Sequence, residues 1–477
     1  MTKAAVIGGG VIGGGWAGRF LLNGWDVAVY DPDPEAERKI TAVLDRARLS
    51  LPMLYERTLP TEGQLTFATS LAEAVAGAAY IQESVPERLD LKRRVYAEIA
   101  AATDTPIGSS TSGFKPSDLG EGLAEPGQVF VAHPFVPVYL LPLVEIVAHP
   151  AADHGPLDAA AEILRSLGMH PLRVRAEIDA HIADRFLEAV WREALWLVKD
   201  GIATTEEIDD AIRYGFGLRW AQMGLFETYR IGGGEAGMAH FLAQFGPALK
   251  WPWTKLMDVP DLDDALVAAV AGQSDAQSGH RSIAELEALR DRNLVAILRA
   301  LKGQGSAAGA LIAEHESRLP AQPPAHGVLT TVDRTIPHDW TDYNGHMNES
   351  RFGQAFSDAA DAVMAEIGAG PDYIADGLSY FTVDIRIRFL AEAHAGARIR
   401  VESQVLDGSG KKLRLFHRML TAEGTEMATA EQLLIHVSLE TRRACPPRAD
   451  VAERLAALAA EHAHLPPPDP AARLPQR

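Results

Sequence analysis

The feature that most constrains this chain is a glycine motif close to its first residue. Gly8, Gly10 and Gly13 form the pattern Gly-x-Gly-x-x-Gly directly after the apolar run 4–7. In this context the first glycine permits a tight turn, the second lets the backbone approach a pyrophosphate, and the third lets helix and strand pack closely. The motif therefore predicts a Rossmann domain that binds a dinucleotide.

The cofactor is predicted to be NAD. Its pyrophosphate would lie on the backbone N–H groups at the start of the helix, where Val11 and Ile12 stand. Asp31 ends the second apolar run, 27–30. A carboxylate there accepts hydrogen bonds from a ribose 2′-hydroxyl and repels a 2′-phosphate, which favours NAD over NADP.

The order of patterns along the chain predicts three folded domains. Short apolar runs alternate with helical patterns over 1–180, as in an α/β domain with a parallel sheet. Its predicted strands are 4–7, 27–30, 80–81, 107–109 and 129–132. Residues 181–318 show helical spacing and predict an all-α domain for substrate binding or dimerisation. The proline-rich stretch 319–327 predicts a linker.

Residues 328–440 predict an α+β domain in which a sheet wraps around one helix, followed by a tail at 441–477. The helix is expected at 348–367. The strands are expected at 328–336, 379–390, 399–406, 413–420 and 425–439. Beyond a short alanine-rich helix, the tail is expected to be disordered.

Composition narrows the classes of function. The net charge of −19 opposes binding to phosphate backbones, so nucleic acid is a poor candidate partner. Cys445 is the only cysteine, which excludes a disulfide framework and a thiolate metal site within one chain. No apolar run is long enough to cross a bilayer and no secretion signal precedes the first strand. A cytoplasmic protein without a membrane partner or a metal is therefore expected.

A candidate base and its orienting acid follow the fifth predicted strand. Removing a hydride from a secondary alcohol requires a base for the hydroxyl proton, and histidine titrates near working pH. His133 supplies such a base, and Glu145 could bond its other ring nitrogen and stabilise the imidazolium.

The first 300 or so residues resemble the 3-hydroxyacyl-CoA dehydrogenase superfamily, whose pattern has a serine, a histidine and a glutamate in the order of Ser112, His133 and Glu145. The resemblance implies that Ser112 bonds the substrate oxygen, His133 takes the proton and Glu145 orients His133. It also implies that Glu83 and Lys92 lie near the nicotinamide half of NAD.

This chain departs from that family at two positions. Val136 and Asp184 stand where the family commonly has asparagine. In the family these amides help to hold the substrate carbonyl and the serine, so the departures affect the identity of the substrate more than the chemistry. Asp184 is therefore a candidate substrate-binding residue.

The helical region is similar to the L-carnitine 3-dehydrogenase branch of the superfamily. The similarity lies in the runs 191–196, 200–210, 217–224 and 250–255. It implies a substrate with a quaternary ammonium group, which proteins recognise with aromatic faces and a nearby carboxylate. Tyr139, Trp191 and Trp220 are the candidate cage residues, and Tyr139 is preferred because it follows His133 closely. Helix packing is the expected role of most other aromatics here.

A second active site is predicted in the stretch 339–348, which lies between the first strand and the helix of the last domain. It resembles the Asp-x-x-Gly-His-x-Asn stretch of hotdog thioesterases of the 4-hydroxybenzoyl-CoA type. The resemblance implies a hotdog fold in which Asp342 acts on the thioester, by attack on the carbonyl or by activating water. His346 and Asn348 are expected to bind substrate or shape the loop. A plain helix-capping turn is the alternative.

Together these features predict a bifunctional enzyme with candidate catalytic residues Ser112, His133, Glu145 and Asp342. One site would oxidise L-carnitine to 3-dehydrocarnitine with NAD, and the other would hydrolyse an acyl-CoA, with betainyl-CoA as the expected thioester. A homodimer is expected, since both families commonly pair. The alternative is a 3-hydroxyacyl-CoA dehydrogenase that carries a non-catalytic hotdog module for dimerisation.

Overall fold

A computed structural model describes residues 2–152, 154–232, 235, 237–247, 252–255, 258–320, 327–469 and 472–473. Most of the predicted linker and one aromatic of the resemblance, Trp251, lie outside the described residues. Within them, no helix has the length and apolar content that crossing a bilayer requires. By its contacts the chain divides into two units. The first is Met1–Arg48 with Thr61–His315, and the second is Leu49–Pro60 with Glu316–Arg477.

The first unit is built on an eight-stranded sheet with the order β3-β2-β1-β4-β5-β6-β7-β8. Its strands are β1 Lys3–Ile7, β2 Asp26–Tyr30, β3 Leu65–Phe67, β4 Tyr80–Glu83, β5 Ile107–Ser109, β6 Val129–Pro134, β7 Leu143–Val147 and β8 His170–Val174. All neighbours are parallel except β6 and β7, which are antiparallel. The five predicted strands are present, and β3, β7 and β8 are additional.

Helices cover both faces of this sheet, as expected of a parallel sheet that is buried on both sides. They are α1 Val11–Leu21, α2 Ala36–Ser50, α3 Leu71–Val75, α4 Leu89–Ala102, α5 Pro116–Leu119 and α6 His154–Ser166. Trp16, Phe20 and Leu164 belong to the core on one face. Tyr96 and Ile99 belong to the core on the other. The strand ends that carry the glycine motif are thereby held rigidly.

The stretch after β8 forms helices joined by loops, and its described residues form no strand up to Arg318, as the spacing predicted. Its helices are α7 Ala183–Lys199, α8 Thr205–Ala211, α9 Gly217–Gly232, α10 Gly237–Phe245, α11 Asp264–Ser278, α12 Ile283–Gly303 and α13 Ala307–Arg318. Thr204 begins α8 with a reciprocal capping box to Glu207, which satisfies backbone N–H groups at the helix start. The all-α prediction is thus confirmed for these residues.

The second unit has an antiparallel five-stranded sheet with the order β10-β13-β12-β11-β9. Its strands are β9 Leu329–Thr335, β10 Leu378–Phe389, β11 Arg398–Asp407, β12 Lys412–Thr421 and β13 Glu426–Ser438. Its helices are α14 Glu349–Glu366, α15 Pro371–Ala375 and α16 Ala449–His462. Phe352 and Phe356 of α14 pack into the sheet's core, so the predicted α+β domain is confirmed. The tail forms the expected helix, but Asp469 beyond it pairs with Arg388 at 3.5 Å instead of being free.

Two candidate active sites

A cavity of about 980 Å³ opens where β1 ends and α1 begins. Gly8, Gly10, Val11 and Ile12 line it, as do Ser112 and His133. Gly8 has a φ of +107°, and a Cβ on Gly13 would lie 1.9 Å from the Gly8 carbonyl oxygen. A Cβ on Gly10 would meet no atom within 4 Å. The first and third glycines therefore serve the turn and the packing, whereas the second keeps the cavity clear beside the backbone.

Asp31 lies at one edge of this cavity, directly after β2. Its Oδ2 accepts a hydrogen bond from Gly9 N at 2.5 Å, and its Oδ1 accepts one from Asp33 N at 2.7 Å. Lys39 also lines the cavity, but its ammonium pairs with Asp33 at 2.5 Å. This edge therefore presents carboxylates together with one paired lysine, an arrangement that suits ribose hydroxyls better than a phosphate.

Glu83 and Lys92 form a buried ion pair, with Nζ 2.9 Å from Oε1. Tyr96 and Ser109 also donate hydrogen bonds to Glu83 Oε2. Lys92 is part of the cavity wall, as the resemblance implied for a residue near the cofactor. Val85 N donates to Oε1 at 2.6 Å as well, so the Glu83 carboxylate is engaged on both oxygens, positions Lys92 and is not among the residues that line the cavity.

His133 and Glu145 face each other across the antiparallel pair β6 and β7, where they are direct cross-strand partners. Directly opposed residues hold their side chains close together. His133 Nδ1 lies 3.1 Å from Glu145 Oε2, and both side chains are buried. The carboxylate favours a proton on Nδ1, which leaves the lone pair of neutral His133 on Nε2.

The other oxygen of Glu145 is bound by the start of α7. Oε1 accepts hydrogen bonds from the backbone N–H groups of Ile182 and Ala183, each at 2.9 Å. Burial raises the pKa of Glu145, but the hydrogen bonds from His133, Ala183 and Ile182 outweigh it, and the net pKa is below the usual value. Glu145 therefore stays ionised at neutral pH and stabilises a proton on His133.

Around the second ring nitrogen of His133 lies Asp184, whose Oδ2 is 3.7 Å from Nε2. Burial raises the pKa of Asp184 above its usual value. Ser112 and His133 line the same cavity, and the Ser112 side chain is exposed to it. The structure thus brings Ser112 and His133 to one cavity and Asp184 beside the histidine, which is the grouping predicted from the sequence.

Two polar residues of this region were not singled out from the sequence. His181 packs beside His133 with ring centroids 5.8 Å apart, and burial is the main reason that its pKa is lowered. Ser110 also lines the cavity, and its hydroxyl accepts hydrogen bonds from Gln82 and Trp16. His181 lies in a turn, where Ala180 and His181 both have a positive φ. A turn has no repeating pattern, so the sequence could not predict that His181 contacts His133.

The predicted aromatic cage is not assembled in the described chain. Tyr139 is buried outside the residues that line the cavity, and its hydroxyl bonds Asp291 of α12. The side chain therefore serves packing between elements of the first unit, against our preference for it as a cage member. Trp191 and Trp220 are 58% and 38% exposed, and neither lines the cavity.

Asp342 lies on a tight loop before α14. Its Oδ1 accepts hydrogen bonds from the backbone N–H groups of Asn344 at 2.8 Å and His346 at 3.4 Å. The backbone of Asp342 also donates to the His346 carbonyl at 2.9 Å, and Gly345 takes a φ of +80° to close the turn. Within the part of the chain that is described, Oδ2 accepts no hydrogen bond, so one carboxylate oxygen is available to a substrate or a water.

The two polar residues that follow Asp342 have different surroundings. Asn348 is the N-cap of α14, and its side chain accepts a hydrogen bond from Ser350 N at 2.9 Å. Such a cap satisfies a backbone N–H that the helix leaves unpaired. His346 is half-buried and pairs with Glu392, with Nε2 3.4 Å from Oε2. Asn348 therefore shapes the loop.

Three family descriptions match successive parts of the chain. "3-Hydroxyacyl-CoA dehydrogenase, NAD binding domain" matches residues 3–178, and "3-hydroxyacyl-CoA dehydrogenase, C-terminal domain" matches residues 181–265. "Thioesterase-like superfamily" matches residues 336–455. The two families named by the sequence resemblance are thus found in the same order, and the match to an NAD-binding domain confirms the predicted cofactor.

Individual proteins resemble the chain over different lengths. A protein of Ruegeria pomeroyi named L-carnitine dehydrogenase/betainyl-CoA thioesterase is 62% identical, and the match covers 98% of each chain. A Pseudomonas putida protein named L-carnitine dehydrogenase is 50% identical over 64% of this chain and 95% of its own. Among solved structures, an NAD-dependent dehydrogenase of 5-formyl-3-hydroxy-2-methylpyridine 4-carboxylic acid shares 27% identity, with a TM-score of 0.54, over 64% of this chain and 99% of its own.

Proposed function

Because this chain belongs to the family of L-carnitine dehydrogenase/betainyl-CoA thioesterases, we propose that it oxidises L-carnitine to 3-dehydrocarnitine with NAD and hydrolyses betainyl-CoA to glycine betaine. The observation that carries the first activity is the buried His133–Glu145 pair, which faces the cavity behind the glycine motif. The second activity depends on Asp342 and its free carboxylate oxygen.

The cavity residues fit NAD. Gly10 leaves room for a pyrophosphate, the start of α1 offers N–H groups, and Asp31 offers carboxylate oxygens for ribose hydroxyls. When bound, NAD supplies the acceptor for the hydride that leaves carbon 3 of carnitine. The residues of the chain then have to hold the alcohol and accept its proton.

His133 accepts that proton at Nε2, and the carbon–oxygen single bond becomes a carbonyl as the hydride departs. The resulting imidazolium is stabilised by Glu145 at Nδ1. Ser112, in the same cavity wall, donates a hydrogen bond to the substrate oxygen in this proposal. Glu145 is a positioning residue because it touches His133 and not the substrate.

Asp184 is proposed to recognise the trimethylammonium group. In carnitine the ammonium nitrogen is two bonds from the carbon that is oxidised, so it must lie within a few ångströms of the proton acceptor. The Asp184 carboxylate, 3.7 Å from His133 Nε2, is close enough to attract it. A trimethylammonium group donates no strong hydrogen bond, so charge and apolar contact are what recognition can use.

At the second site, Asp342 is proposed to activate water or attack the thioester carbonyl. Its Oδ1 is fixed by backbone N–H groups while Oδ2 is open. If Asp342 activates water, the hydroxide adds to the thioester carbon and the carbon–sulfur bond breaks; if Asp342 attacks, the acyl–Asp342 anhydride that forms is then hydrolysed by water. In both routes the CoA thiolate takes up a proton and leaves as the free thiol, and the acyl group leaves as a carboxylate. In this proposal a backbone N–H group at the start of α14 stabilises the oxyanion.

The chain is also proposed to form a homodimer in the cytoplasm. Apolar side chains on α7 and α9 are exposed in the single chain, among them Phe186, Leu187, Trp191, Leu218 and Phe226. Exposed apolar patches of this kind mark interaction sites, and we expect them to be covered in a homodimer, which light scattering of the purified protein tests. The cytoplasm, where NAD and CoA thioesters are used, is the proposed location.

The test is a substrate comparison on the intact chain. NADH formation is measured with NAD and L-carnitine, D-carnitine or 3-hydroxybutyryl-CoA, and thiol release is measured with betainyl-CoA and acetyl-CoA. We expect L-carnitine and betainyl-CoA to be preferred. Faster NADH formation with 3-hydroxybutyryl-CoA would replace the first assignment by a 3-hydroxyacyl-CoA dehydrogenase. Absence of thiol release from every thioester would leave the second domain non-catalytic.

A further inference from the structure

Three side chains of the second unit that can bind a metal lie close together, and Asp342 is not one of them. They are His346, Glu392 and His394, and one ligand atom from each lies within 4.8 Å of the other two. His346 Nε2 is 3.4 Å from Glu392 Oε2, and the two imidazole rings have centroids 4.7 Å apart at 68°. No metal was expected from the sequence, in which residues 392 and 394 stand far from residue 346.

The backbone holds these two loops together independently of the side chains. His346 and His394 are partners in an antiparallel β-bridge, and Met347 N donates to the Ala393 carbonyl at 2.7 Å. Both hydrogen-bonding groups of the Ala393–Met347 contact lie in a buried part of the unit. The backbone of both histidines is therefore fixed, so they lose little conformational freedom when they bind an ion.

A hydrogen bond that His394 donates orients its ring in the way that metal ligands require. His394 Nδ1 lies 3.1 Å from the Gly345 carbonyl oxygen, so a proton on Nδ1 is donated there and Nε2 keeps its lone pair. Histidines that bind metals usually donate their other N–H to a carbonyl or a carboxylate in this way, which fixes the tautomer and orients the ring.

The separation of the first two ligand atoms also matches a zinc site. Ligands about 2.0–2.1 Å from Zn²⁺ at a tetrahedral angle lie about 3.3 Å apart, close to the 3.4 Å between His346 Nε2 and Glu392 Oε2. Two imidazoles and one carboxylate suit Zn²⁺ better than Mg²⁺ or Ca²⁺, which take oxygen ligands. We propose that His346 Nε2, Glu392 and His394 Nε2 bind one Zn²⁺ ion and leave a fourth position for water.

Such an ion would act on the loop of the thioesterase site. The His346 carbonyl accepts from Asp342 N, and His346 N donates to Asp342 Oδ1. Binding at the His346 side chain therefore holds the loop in the arrangement that orients Asp342. The proposal does not depend on which thioester is hydrolysed, because the ion is bound by residues of this chain alone.

Metal binding to the intact, untagged protein tests this inference. After treatment with a chelator, Co²⁺ is titrated and its visible absorption is recorded, and Zn²⁺ is then added to displace it. We expect one saturable Co²⁺ site whose spectrum is that of a low-coordinate site with nitrogen and oxygen ligands. Zn²⁺ should raise the unfolding temperature of the protein. His394→Ala and Glu392→Gln should each weaken binding by at least about tenfold.

The matched control is His464→Ala, which removes an exposed histidine from the same unit and should leave binding unchanged. Glu392 is 71% exposed, so Glu392→Gln is expected to fold, and circular dichroism checks this. Equal Co²⁺ binding by the wild type, His394→Ala and Glu392→Gln overturns the site. The absence of any saturable binding also overturns it, and His346 and Glu392 then form an ion pair only.

Discussion

Glu145 and Asp342 are carboxylates of the two proposed active sites, yet their surroundings are opposite. Glu145 is fully buried, and its two oxygens accept hydrogen bonds from His133 and from two backbone N–H groups. Asp342 is half-buried, and only one of its oxygens is bound by the described chain. A fully bonded carboxylate can act only through its partner, whereas one with a free oxygen can itself react.

The largest effects are expected from removing the groups that contact the substrates. His133→Ala removes the proton acceptor, and we expect the turnover of carnitine to fall by about 10³-fold, within the range for general base catalysis. NAD binding, followed by fluorescence titration, and thioester hydrolysis should both stay near the wild-type values. Carnitine turnover close to that of the wild type would exclude His133 as the base.

The reciprocal change at the second site is Asp342→Asn. It keeps the size of the side chain but removes the charge, so we expect thiol release to fall by about 10²- to 10³-fold. NADH formation from carnitine should not change. The control is Asp339→Asn in the same stretch, which should keep most of the activity. Thioester hydrolysis that survives Asp342→Asn would show that a different group carries the reaction.

Glu145→Gln tests whether a buried carboxylate acts through its partner. An amide cannot stabilise the imidazolium as a charge does, so we expect turnover of carnitine to fall by about 10²-fold with little change in KM. Glu162→Gln on α6 is the control. A loss of folded protein, with the turnover number of the folded fraction unchanged, would mean that Glu145 is structural only.

Asp184→Asn restores the amide that the wider superfamily commonly has at this position. We expect KM for L-carnitine to rise by about tenfold, equivalent to about 1.4 kcal/mol, with a smaller change in kcat. Since burial raises the pKa of Asp184, the carboxylate takes up a proton at a higher pH than usual. The wild-type KM should therefore rise as the pH falls, and the variant's KM should not. Equal slopes in both proteins would remove Asp184 from ammonium recognition.

A smaller effect is expected at His417, which within the described chain is buried without a counter-charge, unlike His133 beside Glu145. His417 in the core of the second unit is fully buried, and burial lowers its pKa from 6.5 to about 3. Between these values the unfolded chain binds more protons, so stability is lost as the pH falls from 6.5 towards 3. Calorimetry should show the second unit melting at lower temperature over this range. His417→Gln should reduce the slope, while His464→Gln should not.

Local patterns predicted the parts of both sites that lie within a few residues of each other. The glycine motif needs only a strand, a turn and a helix, and Gly8, Gly10 and Gly13 hold these roles in the structure. The loop of Asp342 is likewise closed by residues 344–346. The alternating strands of the second unit were also predicted, because one face of an antiparallel sheet is buried and the pattern repeats every two residues.

Contacts between residues that are distant in the sequence could not be predicted from such local patterns. Tyr139 follows His133 closely in the chain, but its hydroxyl bonds Asp291, more than a hundred positions away, and the side chain is turned into packed interior. Glu83 was expected near the cofactor. Its carboxylate instead bonds Lys92, Tyr96 and Ser109, and it does not line the cavity. Strand β7 was missed, since its short run 143–147 carries Glu145 at its centre and breaks the apolar pattern.

The bonds from Ile182 and Ala183 to Glu145 tie the proton acceptor to a helix that carries Trp191. Those N–H groups belong to the positive end of the α7 dipole, so any tilt or slide of the helix changes the electric field at the carboxylate. A movement of the outer side of α7 therefore changes how strongly Glu145 stabilises the imidazolium of His133. Substitutions along its outer turns should therefore change the rate of hydride removal, although they contact no reacting atom.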